Sequence, residues 1–223
     1  MCNRYYAPGE KEIEDYWHIG NRNPPRWWED AAREIFPRAQ GPFIRRALDD
    51  SGYSLEAAVG QWALIPPWAK AANLPYSTNN ARSEELADKA AFKGAWARGQ
   101  RCIIPAMSFD EPNWETGKNE WWRFRRADGG PWGLAGLWSQ WVNQQTGEVH
   151  ESYTMLTINA DAHPLMRRMH RPDPKLPADQ QDKRSVIPIE MGDVGLWLAG
   201  TVEEASKLLQ LAPVERFDAG PVD

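Results

Sequence analysis

Cysteine and histidine are scarce in this chain: two cysteines, Cys2 and Cys102, and four histidines in 223 residues. Two cysteines build no disulfide framework, and none of these residues stands at CxxC or HxxxH spacing, so neither a stapled secreted domain nor a metal catalyst is expected. A glycine-rich phosphate loop of the P-loop kind is missing as well. No apolar run approaches the roughly 20 residues that span a bilayer, and no basic segment leads into an apolar one at the start of the chain. With a mean hydropathy of -0.67, the sequence reads as a cytoplasmic, reduced protein with no membrane partner and no cofactor. Basic charge is in deficit too, with a formal net charge of -5 and a pI near 5.5. That balance excludes a protein that coats nucleic acid by bulk electrostatics, so any polyanion site must be local.

Tryptophan, by contrast, is abundant, with 13 residues. Most must be core, because an indole buries a large area. Exposed ones can stack on bases, which contributes about 1–3 kcal/mol per base in sequence-tolerant single-strand binders. Local basic patches are offered by Arg45-Arg46, by Arg123, Arg125 and Arg126, and by Arg167, Arg168 and Arg171, although each taken alone reads first as a solvated face. The start of the chain, Met1-Cys2, is chemically distinctive. Trimming of the initiator methionine leaves Cys2 with a free α-amine and a thiol on adjacent carbons, whose ordinary pKa values are about 8 and about 8.5. Such a 1,2-aminothiol condenses with an aldehyde to an imine and closes on it as a thiazolidine. The plainer reading of the dipeptide is a small buried residue at position two.

The length fits one domain over residues 1–223, large enough to bury a core without staples. Residues 26–36, entered through Pro24-Pro25 and stopped by Pro37, read as a short helix. Residues 55–65 read as a strand that leaves its sheet at Pro66-Pro67-Trp68, since proline cannot donate to a ladder. Residues 83–98 read as a helix capped by Ser83, with Glu84 and Glu85 at its positive end and Gly99 after it. Strands are expected at 101–106, 120–126 and 132–142, the last turning through Gln145-Thr146-Gly147 into a partner at 151–158. A short helix over 161–169, a polar loop over 172–184, a strand over 186–189 and helices near 193–198 and 202–211 complete the chain. The sum is an α+β protein, a mostly antiparallel β-sheet or barrel core with peripheral helices.

Four segments occur in an order that points to one family: Met1-Cys2-Asn3-Arg4-Tyr5, Asn80-Ala81-Arg82-Ser83-Glu84, Pro105-Ala106-Met107-Ser108-Phe109-Asp110-Glu111 and Met169-His170-Arg171-Pro172. With Trp62-Ala63-Leu64-Ile65-Pro66-Pro67-Trp68 and Leu134-Ala135-Gly136-Leu137-Trp138, the set resembles the SRAP family, the SOS response-associated peptidase or abasic-site processing proteins, over residues 1–190. Residues 212–223 lack the closing segment expected of that family, and residues 173–184 intervene where relatives continue into a strand. The resemblance implies a sensor that forms a covalent bond with abasic sites in single-stranded DNA through Cys2 and acts as a monomer, with AP lyase and autoproteolytic activity as possible accompaniments. It makes Glu111 the catalytic carboxylate, with a pKa expected to be raised by partial desolvation beside Phe109, and His170 the proton donor. Asn80 is expected to hold the amine and sugar, while Arg4 and Arg82 take phosphates bidentately. Trp68 is equally a stacking wedge or a core residue, and Thr157 is expected to offer a hydroxyl to a phosphate. Read without the family, Glu111 is a surface carboxylate, His170 a helix-terminal histidine, Asn80 a turn residue, and Arg4 and Arg82 members of internal ion pairs.

Two other function classes compete. In one, Cys2 is the nucleophile of an N-terminal-nucleophile hydrolase or cysteine peptidase, with His170 as base and Asn80 or Glu111 as orienting group. In the other, the chain is a non-catalytic, tryptophan-rich binding domain in which Cys2 is replaceable.

Overall fold

The computed structural model describes residues 1–20, 23–49 and 54–222. Twelve strands are described: β1 (Tyr5–Ala7), β2 (Arg33–Ile35), β3 (Gln40–Arg46), β4 (Leu55–Trp62), β5 (Asn80–Arg82), β6 (Arg101–Ala106), β7 (Ser108–Asn113), β8 (Glu120–Arg126), β9 (Trp132–Val142), β10 (Val149–Asn159), β11 (Arg184–Val186) and β12 (Phe217–Pro221). Four short helices lie outside them: α1 (Glu10–Trp17), α2 (Lys93–Ala97), α3 (Val194–Ala199) and α4 (Val202–Ser206). The α+β expectation, a strand-built core with peripheral helices, holds.

Strands β4, β3, β6, β9 and β10 follow one another in a ladder, and the antiparallel β9–β10 pairing closes it into a five-stranded barrel. The β10 strand is the hub. It pairs antiparallel with β9 and β11 and parallel with β4 and β5, so its neighbours change along its length. A second sheet runs β12-β8-β7-β1-β2. Its interior is aromatic: Phe109 stacks on Phe124 at 5.0 Å, and Phe217 lies 5.2 Å from Trp132, ring centre to ring centre. The C-terminal segment supplies an edge strand of the second sheet, β12 antiparallel to β8.

Close approach sets two glycines. A Cβ at Gly41 would meet the Tyr153 and Tyr5 hydroxyls at 2.2 and 2.6 Å, and those hydroxyls share a 2.5 Å hydrogen bond that ties β1 to the barrel. At Gly136 a Cβ would lie 2.8 Å from both the Cys102 sulfur and the Thr154 carbonyl oxygen, so β9 can approach β10 only without a side chain there.

Strands β6, β8 and β9 stand where the sequence puts them, and β4 and β10 differ only at their ends. The helices do not fare as well. Residues 26–36 are a turn followed by β2, because Trp28 and Trp27 are used as anchors on α1: the Trp28 N–H donates to Glu10 at 2.9 Å and the Trp27 indole to Glu14 at 2.9 Å. The α1 helix itself was not anticipated, although Gly9 precedes it, Glu10 and Glu12 occupy its first turn, and Ile13 and Trp17 stand four apart on its buried face. The 83–98 helix is a 3-10 turn at Ser83–Glu85 and the separate α2, with no Ser83 cap, because Glu84 is drawn away to the Arg184 guanidinium and the Asn159 N–H. Gly99 does end α2, at φ 67°. Residues 161–169 shrink to a 3-10 turn at Met166–Arg168, since Pro164 interrupts the helix and the His163 ring accepts from the Leu165 and Met166 N–H groups instead. The strand expected at 186–189 is displaced to Arg184–Val186 and shares only Val186 with that range, Pro188 forming an isolated bridge to Leu134, and α4 ends at Ser206.

Gly136→Ala should therefore destabilise the protein by about 1–3 kcal/mol through overpacking against backbone that cannot yield. Urea unfolding reads this as a lower midpoint with an unchanged slope.

Candidate functional site

The amino-terminal segment runs beside β7, and its polar groups find partners on three sides. The Asp110 N–H donates to the Arg4 carbonyl at 3.0 Å. Asn80, the first residue of β5, donates its amide to the Cys2 carbonyl at 2.6 Å, and Asn79 bonds the Asn3 side chain at 3.0 Å. The Asn79 carbonyl in turn accepts from the Trp62 indole and from the Met155 N–H, at 2.8 and 2.9 Å, which fixes the strand that carries both amides.

Alternation along β7 sorts its acidic pair onto opposite faces. Glu111 points with Phe109 toward the interior and is 1% exposed, so the structure rules out a surface carboxylate. Its Oε2 lies 2.7 Å from His170 Nε2 and 3.9 Å from the terminal amine of Met1. The Met1 amine also contacts His170 Nε2. One ring nitrogen thus faces an amine and a carboxylate. As imidazolium it donates to Glu111; as neutral imidazole it accepts from the amine, so a proton has a short route between them.

The expected raised pKa of Glu111 is not found. Burial pushes it up, but the Met1 ammonium and His170 outweigh burial and leave the carboxyl below its ordinary value. The Cys2 thiol goes the other way: burial, reinforced by the Glu111 charge, holds it well above its ordinary value. Its sulfur lies 3.4 Å from the Arg4 carbonyl. Cys2 is fully buried, as the plainer reading had it, yet it sits beside the amine, Glu111 and Asn80.

On the opposite face of β7 the fully buried Asp110 is shared by two guanidiniums. Arg4 donates to it through Nε at 2.7 Å, and Arg123 donates through Nε and one terminal nitrogen at 2.8 and 2.9 Å. Arg4 also lies over the Trp121 ring at 5.1 Å. Arg82 is half-exposed and pairs with Asp182 and with Glu85. Both arginines are therefore in internal ion pairs. Arg45 pairs with Glu56 and Glu151, Arg126 with Asp128 and Glu190, and Arg168 with Glu115. Trp68 is 59% exposed on the β4–β5 connection, so it is not a core residue. Thr157 is buried, its hydroxyl 3.5 Å from the Ala81 carbonyl, in register beside Arg82.

Cys2, Asn80, Glu111 and His170 thus converge, with Arg4 directly beyond Cys2. A cavity of about 360 Å³ opens beside Met1, Asn80 and Arg82, and a second of about 700 Å³ beside His170, Trp114 and Lys183. Three contributors were missed from sequence: Asp110, Asn79 and Lys183. Asp110 and Asn79 stand next to residues already singled out; Lys183 carries no local signal. Among the described residues no group of three or more His, Cys, Asp or Glu side chains is placed to hold a metal, and no helix is long and apolar enough to cross a membrane.

The family model for SOS response associated peptidase (SRAP) matches residues 1–223, and the chain belongs to this family. It is similar to abasic site processing protein YoqW of Bacillus subtilis (strain 168), 33% identical over 57% of this chain and 56% of that protein. It is also similar to abasic site processing protein HMCES of Xenopus tropicalis, 27% identical over 78% of this chain and 54% of that protein. The chain spans about half the length of these curated relatives. A crystal structure of a Bordetella bronchiseptica protein superposes with a TM-score of 0.82, at 37% identity over 100% of both chains.

Because the folded-state pKa of Glu111 lies below the ordinary 4.5, its contribution to stability is complete above that pH and is lost as the pH falls through the folded value. Glu111→Gln should flatten the acid limb of stability, read as unfolding free energy from neutral pH down to about pH 3. Both thiols, Cys2 and Cys102, are buried and pushed up by that burial. In the native protein at neutral pH an aromatic disulfide reagent should titrate neither quickly, and both after denaturation.

Proposed function

We propose that this protein processes abasic sites in single-stranded DNA by covalent capture through Cys2 after removal of Met1. The observation that carries this reading is that the buried Cys2 thiol, Glu111 and His170 meet in one site at the chain's amino terminus, where the Met1 amine, one residue before the proposed nucleophile, contacts both His170 and Glu111. The names of the relatives, abasic site processing proteins, support the same chemistry.

An abasic deoxyribose is mostly a closed hemiacetal. Glu111 and His170 act as the proton acceptor and donor that open the ring to its aldehyde. The neutral Cys2 amine adds to the aldehyde carbon, giving a carbinolamine, and its surplus proton passes to Glu111 or His170. Protonation of the carbinolamine hydroxyl expels water and leaves an iminium. The Cys2 sulfur then adds to that carbon as its proton returns to the acid–base pair, closing a thiazolidine with one water released overall. A thiol kept neutral by burial suits this order, since the amine attacks first and the sulfur only once an electrophile stands beside it. Asn80 orients the segment through the Cys2 carbonyl. Arg4 and Arg82 hold the flanking phosphates by exchanging their carboxylate partners for phosphate oxygens, and the exposed Trp68 stacks on a base, while the buried Thr157 keeps its hydroxyl toward the Ala81 carbonyl and supports β5 beside Arg82.

The peptidase reading asks His170 to activate the Cys2 sulfur. The imidazole instead contacts the terminal amine and Glu111, and the sulfur lies against a backbone carbonyl, an arrangement that favours amine chemistry.

Incubation with a single-stranded oligonucleotide bearing one abasic site, followed by a denaturing gel, should give a slow-migrating adduct. Cys2→Ala, or a chain retaining Met1, should abolish it; an undiminished adduct in either would sink the proposal. His170→Ala and Glu111→Ala should slow adduct formation by about a hundredfold, the lower end of what general acid–base catalysis contributes. Arg4→Ala and Arg82→Ala should weaken binding to intact single strands and each reduce its salt slope by about 1.

A further inference from the structure

His170 is held by a residue that is remote in sequence. Its backbone adopts φ 61°, a left-handed conformation that costs a non-glycine residue about 1 kcal/mol or more and persists only where the surroundings impose it. On one side its N–H donates to the Pro112 carbonyl at 2.6 Å, next to Glu111 on β7, and Met169 bridges to Asn113. On the other side two successive carbonyls, those of Met169 and His170, converge on one cation. Lys183 Nζ donates to them at 2.7 and 2.5 Å.

Lys183 is only 6% exposed, which removes it from any role as a solvent-facing phosphate contact. Burial lowers its pKa from the ordinary lysine value despite the opposing charge of Asp161. Asp161 itself accepts the Asp182 and Lys183 N–H groups at 3.0 and 2.8 Å, so it anchors the end of the 172–183 loop from which the lysine reaches inward. The charged insertion of the sequence is thus a strap that returns one ammonium to the backbone beneath the catalytic histidine.

We propose that Lys183 is a positioning residue for His170: its ammonium gathers the carbonyls of residues 169 and 170 and sets the turn that aims the imidazole at Glu111 and the terminal amine. The functional part of this assignment rests on the aldehyde-capture reading; the geometric part does not. The charged groups facing the imidazole are Glu111 and the terminal amine, and those around Lys183 are Asp161 and, across the adjoining cavity, Glu115, Arg167, Arg168, Asp173 and Asp179.

The test is Lys183→Met, which keeps length and removes the charge and its donors. Its rate of adduct formation with the abasic oligonucleotide should fall about tenfold to a hundredfold, as when other orienting partners of a reactive group are removed. In the DNA-free protein the imidazole nitrogen resonances of His170 should shift with the lost orientation toward Glu111, a signature that a purely structural lysine would leave unmoved. Lys183→Gln, which retains an N–H donor without charge, should fall between wild type and Lys183→Met and carries the comparison if the methionine variant does not fold. A folded variant with wild-type His170 resonances overturns the assignment, whatever its rate. Shifted resonances alongside a wild-type protein that forms no adduct would instead defeat aldehyde capture and leave the positioning role standing.

Discussion

Burial of Cys2, between the exposed Met1 and Asn3, is the constraint on which the site depends. Residues that precede β1 have no ladder of their own, and a buried carbonyl or N–H without a partner costs about 1–3 kcal/mol. The protein meets this demand with side chains and one backbone bond: the Asn80 and Asn79 amides on the Cys2 carbonyl, and the Asp110 N–H on the Arg4 carbonyl. Those same bonds determine where the chain's first amine lies. Because β7 supplies both the neighbour for the segment and Glu111, the amine and the carboxylate arrive together. The tyrosine pair between β1 and β10 pins the other end of the segment to the barrel.

Electrostatics follow from that packing. Glu111 remains ionised in a buried place because an ammonium and a histidine stand beside it, whereas the Cys2 thiol, with a negative neighbour and no adjacent cation bonded to it, stays protonated. Elsewhere the acidic balance of the protein is spent internally: Asp110, Asp182, Glu85 and Glu115 each neutralise an arginine near the site. Three of the site's arginines also lie over tryptophan rings, Arg4 on Trp121, Arg168 on Trp122 and Arg171 on Trp114, which accounts for part of the tryptophan surplus without placing those rings in the core.

Strands β4, β6, β8, β9 and β10 were legible because alternating or continuous apolar runs bounded by turn residues leave few alternatives, whereas β1, β2, β3, β5, β7 and β12 were not, several of them being too short to show a period. Helices were harder to read. Trp27 and Trp28 look like one face of a helix but serve as anchors on α1, and Glu84 looks like a favourable first-turn residue but is claimed by Arg184. Pro164 stands inside the 161–169 segment and limits it to one 3-10 turn. Of the site, the four residues that converge were each marked by their segments, while Lys183 was not, since a lysine in a charged loop is indistinguishable from a solvated one until the loop folds back.

Sequence alone determined the class of fold, the family and the identities of the chemical groups, because residue types and their order are local properties. Only the tertiary structure decided that Glu111 lies inside rather than on the surface, that its acidity is enhanced rather than weakened, and that the arginines are already paired. Those outcomes depend on which charges end up within a few ångströms of one another across residues more than a hundred positions apart in some cases, Arg4 and Asp110 among them. Local pattern carries no record of such distances; packing creates them.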